Sequence, residues 1–325
     1  MSWVSVDAMP EGTAFASSVV ARFNNLVPYR SQLSGQGIPR PVMEFLAAGK
    51  VCPVLSPAGL VGRNAQAAVR GEPGLCVTLL ETVPGDGPQA HIHTQTLETF
   101  FCLEGTFEVS WGSELEHKLV LNPDDLCSVP AGVFRAFKNI GQDLARLKVF
   151  IQGDANMSDK LSMHKSVGAN IGREYGQDVL DKLADINMRF DAVDDVKVSP
   201  EKMKERVLRS ADWVSIPVKG DPNVRVATLL EPSGKVPGAI QGWKGADIRA
   251  IQFTDRAQFD LPAEARVARL IFARTSACSL TIDGSETVEL GHYDSVFVPA
   301  ERNVSILNKS AGVATVFVSS QYPLQ

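Results

Sequence analysis

The chain has 325 residues, 44% of them apolar, with a formal net charge of −5, and that length exceeds one average domain but suits two with sizeable cores. Lys and Arg are spread along the chain rather than gathered into a basic block, which argues against a nucleic-acid partner. The opening MSWVSVDAMPEG lacks the basic stretch and apolar run of a signal peptide, and no run approaches the roughly 18 apolar residues of a membrane span, so a cytoplasmic protein with no membrane partner is expected.

Residues 1–60 mix short helix-like pieces, Ala14 to Asn24 and Pro41 to Ala48, with Pro and Gly breaks, and read as a helical N-terminal arm. From residue 61 to 155 the pattern turns to short β-branched and aromatic runs (CVTLLETV, TFFCLEG, TFEVSWG, RAFKNI, RLKVFIQG) separated by Gly, Pro, Asp and Asn, the pattern of an antiparallel barrel or sandwich. Residues 156–211 are polar and helical; Val179, Leu180, Leu183, Ile186 and Met188 recur near helical spacing over Gln177 to Phe190, suggesting a connector. Short strands return over 212–325 (VRVATLLEP, ADIRAIQFT, ARLIFART, SVFVPAE, NVSILNK, ATVFVSSQ), so the fold class is all-β, with two barrels. A weak internal repeat supports this: VPAGVFRAFKN and VPAERNVSILN each place Asn nine residues after Pro, at Pro130/Asn139 and Pro299/Asn308. The five cysteines, Cys52, Cys76, Cys102, Cys127 and Cys278, are odd in number and scattered, which points to buried thiols rather than a disulfide framework.

The strongest chemical signal is GDGPQAHIHTQTLETFFCLEG. Alternate strand residues share a face, so His91 and His93 converge, and Glu98 is close enough for the chain to turn back and add a carboxylate. Two imidazoles and one carboxylate leave coordination positions open, the ligand logic of non-haem Fe(II) oxygenases. His-x-His pairs also occur on solvent-facing strands, where they bind nothing.

The spacing from Gly85 through His91, His93 and Glu98 to Gly105 resembles the first motif of the cupin superfamily at every fixed position, a likeness that spans about residues 75–153 and reaches the second half only through the repeat. The resemblance implies two double-stranded β-helix barrels and one divalent metal on His91, His93 and Glu98, with Fe(II) first and Ni, Mn or Zn behind it. It also implies a homodimer. Two-barrel relatives include quercetin and gentisate dioxygenases and oxalate decarboxylases. The second motif departs from the family: Pro130, Gly132 and Asn139 are present, but Arg135 stands where a fourth ligand His is usual, and Asp124 where Gly is usual. Arginine is not a metal ligand here, so at most three protein ligands remain, and Arg135 holds an anionic substrate group, pairs with Glu98 in a site that has lost its metal, or points outward into solvent. Counting back from Gly284 puts Leu270, Phe272 and Ala277 opposite His91, His93 and Glu98, and Val304 opposite Arg135, so the second barrel is expected to be metal-free.

Phe100, Phe107, Phe137 and Gln152, with Arg135, are the candidate substrate contacts, and Glu98 and Arg135 the candidate catalytic groups. The leading expectation is a metal-dependent dioxygenase acting on a small chelating substrate, aromatic or diketone-like. The alternatives are a non-redox cupin isomerase, lyase or hydrolase, and a metal-free small-molecule-binding cupin.

Overall fold

The computed structural model describes residues 19–30, 36–153, 160–191, 193–275 and 278–322. Strand β1 (Val20–Ala21) precedes the first barrel, built from β2 (Lys50–Pro57), β3 (Val69–Gly71), β4 (Leu75–Thr82), β5 (His91–Ile92), β6 (Thr96–Glu104), β7 (Phe107–Trp111), β8 (His117–Leu121), β9 (Leu126–Val129), β10 (Phe134–Asn139) and β11 (Ala145–Gly153). The connector contributes β12 (Leu161–Met163), β13 (Met188–Arg189) and β14 (Val207–Leu208). The second barrel follows with β15 (Ser215–Val218), β16 (Asp221–Glu231), β17 (Ile240–Gln241), β18 (Ala246–Phe253), β19 (Gln258–Leu261), β20 (Ala268–Ala273), β21 (Cys278–Ile282), β22 (Glu286–Leu290), β23 (Ser295–Val298), β24 (Val304–Asn308) and β25 (Ala314–Gln321). No helix among the described residues is long and apolar enough to cross a membrane.

In the first barrel a seven-stranded sheet, β14-β9-β6-β11-β4-β2-β3, faces a six-stranded sheet, β13-β12-β5-β10-β7-β8. Inward side chains such as Phe100, Cys102, Val129, Leu147 and Ile151 form one core. The second barrel repeats the plan: β20 lies between β23 and β25 as β6 lies between β9 and β11, and β24 lies between β19 and β21 as β10 lies between β5 and β7. Register fixes the equivalences. Glu98 pairs with Val129, and Arg269 with Val298, each partner sitting just before its repeat proline; Arg135 pairs with His91, and Val304 with Leu261. The repeat has a physical reason too. Asn139 and Asn308 each donate their side-chain amide to a carbonyl four residues on, and each accepts a backbone N–H two residues on, closing the same turn.

The repeat extends beyond the barrels. Val20 of β1 pairs with Val296 of the second barrel, while Val207 of β14 pairs with Cys127, the equivalent position of the first. A short 3-10 turn follows each strand, at Phe23–Asn25 and Ser210–Asp212. One buried aspartate clamps each arm. Asp294 accepts from Arg22 at 2.6 Å and from the Phe23 N–H at 2.9 Å; Asp125 accepts from Arg209 at 2.8 Å and from the Ser210 N–H at 2.9 Å. The segment leading into each barrel therefore docks on the other barrel.

The barrels meet through the outer faces of their larger sheets. Phe101 packs edge-on against Phe317 at 4.5 Å. The equivalent pairing replaces Phe317 with Lys148, whose Nζ lies 3.5 Å above the Phe272 ring and 3.0 Å from Ser295 Oγ. Asp124, at the usual Gly position, has a left-handed φ of 68°, and its carboxylate accepts from Arg274 of the second barrel at 3.0 Å. A contact that glycine could not make thus accompanies the departure from the family pattern.

Four expectations change, the first being that the barrel begins with β2 at Lys50 rather than at residue 61, because Lys50–Pro57 pairs with β4 in the larger sheet. The arm piece expected as a helix over Ala14 to Asn24 is a strand and a 3-10 turn from Val20 onward, with residues 14–18 outside the described residues. The connector helix ends at Asp185 rather than Phe190, because Asn187 takes a left-handed φ of 61° and Met188 joins β13 beside β12. The ungapped count from Gly284 is off by one hairpin: that glycine follows β21, not β20. The positions opposite His91, His93 and Glu98 are therefore Leu261, Ala263 and Arg269, not Leu270, Phe272 and Ala277, the last lying outside the described residues. No ligand survives by either count.

Candidate metal centre

The triad is assembled from both sheets. His91 sits on β5, with Arg135 opposite on one side and Met163 on the other. His93 lies just past the strand end, where its carbonyl accepts the Gly132 N–H at 2.8 Å and keeps the chain extended, so the two rings face the same interior. Glu98 comes from β6 in the opposing sheet. All three are buried, at 5%, 0% and 5% exposure, so His-x-His is here an interior pair rather than a solvent-facing one.

Glu98 Oε2 lies 3.7 Å from His91 Nε2 and 3.6 Å from His93 Nε2. These separations are too long for hydrogen bonds. They match donors arranged around one shared ion, since two bonds of about 2.1 Å at a tetrahedral angle put donor atoms about 3.4 Å apart. Neither Glu98 Oε2 nor His93 Nε2 has a hydrogen-bond partner among the described residues, an expensive state for buried polar atoms unless an ion satisfies both. His91 Nδ1 lies 2.9 Å from the Gln89 carbonyl; a proton on Nδ1 donated to that oxygen leaves the Nε2 lone pair for the ion. The donor set, spacing and burial fit a divalent metal.

Electrostatics keep the donors in ligand form. Burial drives His93 well below the ordinary histidine value, so the imidazole is neutral. For Glu98, burial favours the acid but is outweighed by its charged surroundings, with the Arg135 guanidinium 3.5 Å away, which hold it below the usual carboxylate range.

Arg135 is fully buried, which settles its orientation: it points into the barrel. Its Nη1 lies 3.5 Å from Glu98 Oε2, and its Nη2 donates to the Pro130 carbonyl at 2.5 Å. Burial lowers its pKa to about 10 against the pull of Glu98, so it stays charged at neutral pH. Of the remaining candidates, Phe137 lines the cavity in front of the triad, while Phe100 and Phe107 pack behind it at 5.4 and 6.1 Å as core. Gln152 is on the other face of β11 from the inward Ile151; its Oε1 accepts from Thr99, and it is not part of the cavity wall.

The cavity measures about 60 Å³ and is walled largely by segments outside the barrel motifs. Tyr29 and Leu46 come from the arm, Arg63 and Asn64 from the link between β2 and β3, and Met163 and Met188 from the connector. None of these was singled out as a site residue by sequence. The only local cue was a polar Arg63-Asn64 pair in an otherwise small-residue stretch, SPAGLVGRNAQ.

Residues 78–151 match the family described as the cupin domain. No curated protein matches the chain in sequence. Among solved structures, oxalate decarboxylase from Bacillus subtilis at pH 4.6 superposes with a TM-score of 0.59 at 12% identity, over 94% of this chain and 76% of that one. The formate complex of the Lactobacillus farciminis oxalate decarboxylase gives 0.60 at 12%, over 95% and 87%. A B. subtilis oxalate decarboxylase studied for its Mn(II) centres gives 0.57 at 12%, over 97% and 80%. At such identity the likeness is one of fold, and that fold is the two-barrel cupin.

Proposed function

We propose that this two-barrel cupin is a metal-dependent enzyme of the non-redox kind, a lyase, isomerase or hydrolase working on a small oxygen-bearing substrate in its first barrel. The observation that carries the reading is the convergence of three buried donor atoms, two of them without a partner of their own, beside a cavity. A divalent ion held there supplies Lewis acidity toward a carbonyl or carboxylate oxygen. The chain does the rest. Glu98 and His93 are in donor form without any change of protonation at neutral pH. Arg135, fixed by Pro130 and facing Glu98, keeps a positive charge at the back of the site, where it stabilises negative charge developing on the substrate. The apolar wall, with Leu80, Phe137 and Ile151, limits water around the reacting oxygen.

Size narrows the substrate. The cavity of about 60 Å³ favours a small substrate over a large aromatic one. The oxalate of the structurally similar oxalate decarboxylases is of the right scale. The test is to assay Mn(II)-loaded protein with oxalate and small oxo acids while recording O₂. Substrate loss without O₂ uptake, absent in a His91→Ala, His93→Ala variant, is the expected result. Substrate-dependent O₂ uptake would instead favour a dioxygenase, the reading that a two-histidine, one-carboxylate set with open positions supports. Wild-type protein that binds no metal would overturn both.

A further inference from the structure

The next inference rests on that metal reading and concerns charge. Glu98 is the only carboxylate among the described residues lining the cavity. Arg135, fully buried 3.5 Å away, already balances it, with its Nε and Nη1 lacking hydrogen-bond partners. The two imidazole ligands contribute no negative charge. A divalent ion therefore adds two positive charges to a centre that is neutral without it, in a place where little water can screen them. Histidine at position 135 would add a fourth ligand and remove one of those charges; arginine does the opposite on both counts.

We propose that the first barrel is an anion-coupled metal site, in which a small carboxylate in the cavity beside the triad offsets the charge that metal and Arg135 bring together, and metal and carboxylate each bind tightly only in the presence of the other. The coupling is reciprocal, so an anion that strengthens the metal is itself held more strongly once the metal is in place. Arg63, which lines the cavity where Arg135 does not, adds positive potential beside His93. The substrate class follows: small carboxylates fit the charge and the volume, whereas neutral chelators such as diketones leave the excess charge uncompensated.

Mn(II) titration of the full-length, metal-free protein, with free Mn(II) read from its electron paramagnetic resonance signal, tests this at constant ionic strength. Acetate is compared with acetamide, a neutral molecule of the same shape. Acetate is expected to tighten Mn(II) binding about tenfold, within the usual range for coupled sites, and acetamide to leave it unchanged. Arg135→Met should bind Mn(II) more tightly than wild type without acetate and lose most of the acetate effect. Equal Mn(II) affinity in acetate and acetamide overturns the coupling and leaves the metal reading intact. Absence of Mn(II) binding under every condition overturns both. If Arg135→Met does not fold, the acetate and acetamide comparison on wild type decides alone.

Discussion

The two barrels share strand order, register, turn chemistry and clamped arms, yet among the described residues only the first converges donor atoms. At the position of Glu98 the second barrel carries Arg269, also buried, bonded to the Pro262 carbonyl and to Glu264, whose side chain is 52% exposed. At the two histidine positions it carries Leu261 and Ala263. The scaffold thus persists without the chemistry, because the sheets are held by apolar packing and backbone pairing that the ligands do not supply. What differs is where the partner of the buried charge lies. In the first barrel both members of the Arg135–Glu98 pair are sealed inside; in the second, one end reaches water.

That contrast sets the largest expected effect. Glu98→Gln in metal-free protein leaves Arg135 buried with no carboxylate within reach and should lower stability by about 3–5 kcal/mol. Arg269→Met leaves Glu264 free to hydrate and should cost no more than about 1 kcal/mol. Urea denaturation of both variants checks the pair, and equal losses would break the comparison.

The arm clamps test the likeness instead of the difference. Asp125 accepts from the Asn122 and Ser210 N–H groups and from Arg209; Asp294 accepts from the Gly291 and Phe23 N–H groups and from Arg22. Asp125→Ala and Asp294→Ala should therefore each cost about 2–3 kcal/mol. Because each arm docks on the other barrel, either change should still give one thermal transition in calorimetry. Two separated transitions would show that the barrels are independent.

The smallest effect is a slope. Burial lowers the Lys148 pKa well below its ordinary value, and no carboxylate pairs with it among the described residues. Between the folded-state value and the unfolded value of about 10.4 the unfolded chain binds more protons, so stability rises as pH climbs through that window. Lys148→Met should flatten this part of the stability–pH curve, and Lys148→Phe, which copies Phe317, should do the same. An unchanged slope in both would mean that the lysine is charged in the folded protein, held by Phe272.

Strand alternation in β5 made His91 and His93 readable as a pair, and the tight spacing to Glu98 made the third donor readable, since all three lie within eight residues. The two-barrel plan was readable from Pro130/Asn139 and Pro299/Asn308 because a side chain that closes a turn acts over a few residues. Gln152 was misjudged for the same local reason: a one-residue step along β11 moves a side chain to the opposite face of the sheet. The second-barrel count failed because it was anchored on Gly284, which follows β21, whereas Gly105 follows β6, the strand equivalent to β20, and a lone glycine does not reveal which hairpin it belongs to.

The sequence by itself determined the donor residues on offer, the β class and the repeat, all of which rest on short-range periodicity and residue chemistry. The inward direction of Arg135, the exclusion of Gln152, the crossed arms and the cavity walls were decided by tertiary structure. Tyr29, Arg63 and Met188 meet the triad from segments far apart along the chain, and only the packing of arm, link and connector over the open end of the barrel brings them there.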